Sequence, residues 1–213
     1  MGLLNKLFRN ARKPEGLLGR MMVNGMNGGS HARLAEWGLE CIDLQPNAHV
    51  FDIGCGGGAN IARLLKRSPN GVVRGIDYSA ISVAKSRRLN AQAISKGRCI
   101  VQQSNVSNLL CDTTMFADGA FNLVTAFETV YFWPNIDDCF RGVRRVLCSG
   151  GLFLIVNEAD GMGADSAKWE RLVGDMHTYT EDELHSLLIK AGFSDITICR
   201  DTQRHWLKAI AIK

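Results

Sequence analysis

The stretch that decides the fold is Val50-Phe51-Asp52-Ile53-Gly54-Cys55-Gly56-Gly57-Gly58-Ala59-Asn60. Val50 to Ile53 form a short, mostly apolar run, and a glycine cluster follows at once. A run this short with glycine at its end reads as a buried strand. From Ala59 to about Lys66, apolar Ile61, Leu64 and Leu65 fall at helical spacing, so strand, glycine turn and helix follow in order. Gly54, Gly56 and Gly58 let the backbone turn sharply and approach a ligand closely, where a larger side chain would fill the space. The helix that follows offers free backbone N–H groups, suited to a carboxylate or phosphate. Gly54, Gly56 and Ala59 also satisfy the G-x-G-x-x-G/A pattern, so the glycines alone leave the ligand open. Asp52 narrows the choice: its charge is unfavourable beside a pyrophosphate and suits a cationic ligand carrying an ammonium and a sulfonium.

Outward from this loop, short apolar runs alternate with amphipathic segments. Gly71 to Asp77 (GVVRGID) reads as a second strand. Ser79 caps a helix expected to reach about Ser95, with Ile81, Ala84, Leu89 and Ile94 on its inner face. Cys99 to Gln103 and Phe121 to Phe127 are the third and fourth strands. A helix over about Asn135 to Leu147 is expected to close on Ser149-Gly150-Gly151, before a fifth strand over Gly151 to Glu158. A polar, glycine-rich stretch, Ala159 to Met176, interrupts the rhythm. Thr180 with Glu183 forms a capping box for a helix to about Ala191. Asp195 to Arg200 and His205 to Lys213 are two last strands, too close for a helical crossover, so they pair antiparallel. The whole is an α/β chain: a doubly wound, Rossmann-like, mostly parallel sheet with an antiparallel last strand. Residues 1–43 form an N-terminal helical cap or lid, and 44–213 the main domain.

In such sheets ligands bind beyond the carboxyl ends of the strands. Asp77 ends the second strand 23 positions after Gly54, where a carboxylate can accept both hydroxyls of a ribose. Tyr78 offers an aromatic face beside it. After the third strand, Asn105 has the donor and acceptor that a base edge needs, in Ser104-Asn105-Val106. After the fourth, Ala126 to Asn135 (AFETVYFWPN) is an aromatic loop able to exclude water. Phe127, Glu128 and Tyr131 are its site candidates; Phe132 and Trp133 are read as core.

VFDIGCGGG, GIDYS, FNLVTAFETVYFWPN and RVLCSGGLFLIVNE, with AGFSDITI closing the series, together resemble the class I S-adenosylmethionine-dependent methyltransferases over roughly Leu44 to Lys213. The resemblance implies a seven-stranded sheet with its last strand antiparallel. It implies that the loop Gly54 to Gly58, Cys55 included, holds the amino-acid end of S-adenosylmethionine, with Asp52 near the ammonium. Asp77 would hold the ribose, Tyr78 and Val106 would flank the adenine, and Phe127 would cover the methionine portion. Asn105 departs from the acid the family often has facing the adenine amino group. Met21 to Leu39 resembles the lead-in of a small-molecule subgroup, which makes Met22, Asn24, Met26, Asn27 and His31 acceptor-pocket candidates. The product would be S-adenosylhomocysteine.

The reaction this implies is in-line transfer of a methyl group to a small molecule, in which the protein mainly aligns the nucleophile. A general base is needed only for an acceptor protonated at neutral pH; Glu128 and Tyr131 are the catalytic candidates, with His31 and His177 behind them. No metal constellation is visible, because no His and acid pair falls at helical ligand spacing. A nicotinamide-dependent dehydrogenase shares the glycine pattern and Asp77 but not Asp52 or the closing hairpin. A cofactor-binding module without turnover is a further alternative. A nucleic-acid methyltransferase is disfavoured by the lack of a base clamp after the fourth strand and by a net charge of only +4.

Composition bounds the rest. The chain has 213 residues, 46% hydrophobic and 22% charged, as one globular core requires. The seven cysteines contain no C-x-x-C pair and read as free thiols of a cytoplasmic protein. Lys6, Arg9, Arg12 and Lys13 read as a solvated helix face, opposite apolar Leu3, Leu4, Leu7 and Phe8. No run approaches the roughly 20 apolar residues of a membrane span. The protein is expected to be a monomer or homodimer.

Overall fold

Strands form where the apolar runs lie, and each hands over to a helix packed back on the sheet. In the computed structural model, which describes residues 29–162, 170–171 and 176–213, the elements are α1 (Ser30–Leu39), β1 (His49–Ile53), α2 (Ala59–Arg67), β2 (Val72–Asp77), α3 (Ala80–Leu89), α4 (Ala91–Ser95), β3 (Cys99–Gln103), β4 (Phe121–Phe127), α5 (Ile136–Val146), β5 (Leu147–Asn157), α6 (Glu181–Lys190), β6 (Ser194–Asp201) and β7 (Trp206–Ile212). Seven strands make one sheet in the order β3-β2-β1-β4-β5-β7-β6. β1 to β5 pair parallel, and β7 runs antiparallel to both β5 and β6. The expected doubly wound sheet with an antiparallel closing strand is therefore present.

Both faces of the sheet are covered, which is why its inner strands are apolar on both sides. On one face Phe51, Phe121, Phe140, Phe153, Leu184 and Leu188 pack into one cluster. On the other, Leu34, Leu39, Ile61, Leu64, Val83 and Val156 pack into a second. α1 is thus part of the core: Leu34, Ala35 and Leu39 are buried, and the Lys208 ammonium of β7 donates to the Trp37 carbonyl at 3.1 Å. Residues 1–28, and with them the basic and apolar N-terminal positions, lie outside the described residues.

Two local expectations are corrected. The helix after Ser79 breaks at Asn90, and Ala84 and Leu89 face solvent, Leu89 at 52% exposure. Its buried positions are Ser82, Val83, Ser86 and Asn90. The reason is the glycine loop: a Cβ on Gly58 would meet Ser86 Oγ at 2.4 Å, and Asn90 Nδ2 donates to the Gly58 carbonyl at 3.1 Å. Only small or polar side chains fit that approach. The segment Ser149-Gly150-Gly151 is not a helix stop either. α5 ends at Val146 and the chain enters β5 directly, so these residues lie within the strand. The ladder with β4 is irregular there, shifting register between Phe121 and Leu123.

Candidate active site

The order of the strands reverses between β1 and β4, where adjacent helices leave on opposite faces and a crevice opens. A cleft of about 230 Å³ lies at this point. Its lining includes Gly54, Cys55, Gly56, Asp77, Tyr78, Asn105, Val106, Phe127, Glu128 and His31. Side chains named at four strand ends thus meet in one place.

The glycine loop is fixed by Asp77. Its Oδ2 accepts from the Gly56 amide at 3.0 Å and its Oδ1 from the Ser79 amide at 2.8 Å. Burial raises the Asp77 pKa, and the two amides work against that rise. A carboxylate has about four acceptor positions, so capacity remains for ligand hydroxyls. Gly56 has φ +51, and nothing lies within 4 Å of where its Cβ would be. That empty space beside a cleft-lining backbone is a cradle for a ligand.

Asp52 is not among the cleft-lining residues. It is 2% exposed, and Thr125 Oγ1 donates to its Oδ1 at 2.7 Å. Burial pushes its pKa up to about 7, against the Thr125 hydrogen bond. Gly58 is also absent from the lining; packing against Ser86 and Asn90 explains it. Cys55 is buried, and burial holds its thiol well above its ordinary range. Asn105 Oδ1 accepts from the amide and hydroxyl of Ser107, both at 3.0 Å.

Glu128 lies where β4 leaves the sheet, with φ 59. Its Oε1 accepts from Tyr131 Oη at 3.1 Å and from the Glu158 amide. Burial first, then the Glu158 charge, pushes its pKa up to about 8. Tyr131 is buried, accepts from the Ala159 amide at 3.1 Å, and does not line the cleft. It orients Glu128 from behind. His31, Glu128 and Glu158 each bring one candidate ligand atom within 4.8 Å of the others.

Two expectations change here. Phe132 and Trp133, read as core, both line the cleft, and Trp133 also stacks on Phe153 with ring centroids 6.2 Å apart. The short 3₁₀ turn Val130–Phe132 folds the loop back so that its aromatics wall the cavity. His177 is not among the lining residues; it sits between the carboxylates of Glu170 and Glu183, at 3.6 and 3.5 Å. Met22, Asn24, Met26 and Asn27 lie outside the described residues, as does most of the Ala159 to Met176 stretch. Sequence reasoning missed Asn60, Arg63 and Thr129 in the lining. The turn from Asn60 to Arg63 on α2 was the available signal.

A family model for a methyltransferase domain matches residues 44–192. The chain belongs to the methyltransferase-domain family. Among its relatives, this methyltransferase is 27% identical over 163 residues to malonyl-[acyl-carrier protein] O-methyltransferase of Geobacter sulfurreducens, covering 71% of this chain and 57% of that protein. It is 25% identical over 137 residues to cycloartenol-C-24-methyltransferase of Arabidopsis thaliana, covering 63% and 39%. The chain therefore spans about half the length, or less, of these curated relatives. Its fold is that of a S-adenosylmethionine-dependent methyltransferase from Aquifex aeolicus, at TM-score 0.73 and 17% identity, with 91% of this chain and 97% of that one covered. Among the described residues, no helix is long and apolar enough to cross a membrane.

Proposed function

We propose that this methyltransferase binds S-adenosylmethionine in the cleft between β1 and β4 and transfers its methyl group to a small-molecule acceptor. The observation that carries the reading is the Gly56–Asp77 unit: an open glycine backbone and a carboxylate with spare acceptor capacity, held together by one hydrogen bond. These residues fit the cofactor. Asp77 accepts the ribose hydroxyls, Tyr78 and Val106 flank the adenine, and the Asn105 amide nitrogen serves the adenine edge. The loop at Gly54, Cys55 and Gly56 would take the amino-acid end, with Asp52 in its ionised form serving the ammonium and Phe127 covering the methionine portion. Gly58 supports the loop through packing.

When bound, the cofactor would supply a methyl carbon made electrophilic by its sulfonium, open to in-line displacement by an acceptor's lone pair with the thioether as leaving group. Glu128 takes the proton of an acceptor that arrives protonated, and Tyr131 is a positioning residue that holds its carboxylate. Phe127, Phe132 and Trp133 exclude water. His31, in the first turn of α1, contributes to the acceptor pocket. Seven free cysteines suit a reducing compartment, and we place the enzyme in the cytoplasm.

The test is calorimetric titration with S-adenosylmethionine and S-adenosylhomocysteine, beside an Asp77→Ala variant and with NADH as control. Micromolar binding of both adenosyl ligands, lost in the variant, is expected. No binding, or binding of NADH instead, would overturn the reading.

A further inference from the structure

Three side chains from three distant parts of the chain converge at the acceptor end of the cleft. His31 is in the first turn of α1, Glu128 follows β4, and Glu158 follows β5. All three are partly buried, and one potential ligand atom from each lies within 4.8 Å of the others. Ligands about 2.1 Å from a metal ion stand roughly 3 to 4 Å apart, so modest side-chain rotation of His31 and Glu158 toward Glu128 closes the set around one ion.

Two observations favour a cation over a merely crowded corner. The two carboxylates sit side by side in a partly desolvated place, where their repulsion is weakly screened and a bound cation relieves it. Glu128 is also held as metal-ligating carboxylates are: Tyr131 Oη and the Glu158 amide both donate to Oε1, which fixes the carboxylate and leaves Oε2 available. His31 and Glu128 line the cleft, so an ion between them opens onto it.

The geometry points to a divalent metal site formed by His31, Glu128 and Glu158, whose open positions take an oxygen of the methyl acceptor. One imidazole with two carboxylates suits a first-row ion such as Mn²⁺ better than an all-oxygen Mg²⁺ site does. The acceptor class that follows is an oxygen acceptor, a hydroxyl or carboxylate able to ligate the ion. With the ion bound, Glu128 serves as a ligand, and ligation lowers the pKa of a coordinated hydroxyl, whose proton passes to solvent water. The site itself does not depend on S-adenosylmethionine; only its use for the acceptor rests on the methyl-transfer reading.

The test is Mn²⁺ titration of the full chain, followed by electron paramagnetic resonance, without cofactor. One submillimolar site is expected, weakened about tenfold or more in both His31→Ala and Glu158→Gln. In the unaltered protein, spin-echo modulation from an imidazole nitrogen should appear, a readout that does not depend on how the variants fold. No submillimolar site, a site without the nitrogen signal, or a site whose affinity survives both substitutions would overturn the inference. S-adenosylmethionine binding without the Mn²⁺ site would remove this inference alone; the Mn²⁺ site without S-adenosylmethionine binding would remove the methyl-transfer reading and leave the metal site standing.

Discussion

The Gly56 amide donates to Asp77 Oδ2 at 3.0 Å, so the loop after β1 and the acid ending β2 are held as one unit. Removing the acid acts twice, on the ligand's hydroxyls and on the loop that faces it. Asp77→Ala should weaken S-adenosylmethionine binding by about 2 kcal/mol or more, and Asp77→Asn by less, since one acceptor oxygen remains. Calorimetry on both variants checks the order; equal losses would show that the loop contact is unimportant.

The glycines should separate into packing and binding positions. Gly58→Ala forces a Cβ to within 2.4 Å of Ser86 Oγ at φ +83, and should lower stability by roughly 2 to 3 kcal/mol. Gly56→Ala meets no atom but has φ +51, so its stability cost should be nearer 1 kcal/mol. Its loss of cofactor affinity should be the larger effect, because the new methyl occupies the cradle. Urea unfolding and calorimetry on the two variants give the comparison.

Asp52 gives a pH dependence whose sign is fixed. Its folded pKa is about 7 against an ordinary 3.8, so the folded state holds this proton where the unfolded state has lost it. Its contribution to stability is complete below the unfolded value and falls as pH rises from about 4 to about 7. Asp52→Asn should therefore gain stability relative to the unaltered protein at about pH 8, on the order of 2 kcal/mol, and little at about pH 4. If the ionised form serves the cofactor's ammonium, S-adenosylmethionine affinity should rise as pH passes about 7 and be flat in the variant. Unfolding curves and titrations at both pH values test each half.

Glu128→Gln should lower turnover by about 100-fold or more while changing cofactor affinity little. Tyr131→Phe removes the donor to Oε1 and should produce a smaller turnover loss with the same unchanged affinity. Single-turnover kinetics beside calorimetry separate the two quantities; equal loss of both would remove Glu128 from the acceptor side.

The capping box at Thr180 and Glu183 and the N-cap Ser79 were legible because each is a contact between residues three apart. The strand ends at Asp77 and Phe127, and Asn105 just after β3, were legible because short apolar runs of strand length stop there. The inner face of α3 was not: helical periodicity selects apolar residues, whereas this face is Ser82, Ser86 and Asn90 because a glycine loop presses on it. Trp133 is core as read and lines the cleft as well; a large aromatic can serve both at once, and only the turn after β4 decides that it does.

The sequence by itself determined the sheet, its closing hairpin and the glycine loop, since these follow from local periodicity and turn chemistry; the methyltransferase family came from the likeness of its motifs to that family. Tertiary structure alone decided that Asp52 is buried against Thr125 rather than lining the cleft, and that His31 meets Glu128 and Glu158. Those relationships join residues on different elements, up to 127 positions apart for His31 and Glu158. Their distances are set by how helices and strands pack, which no pattern along the chain encodes.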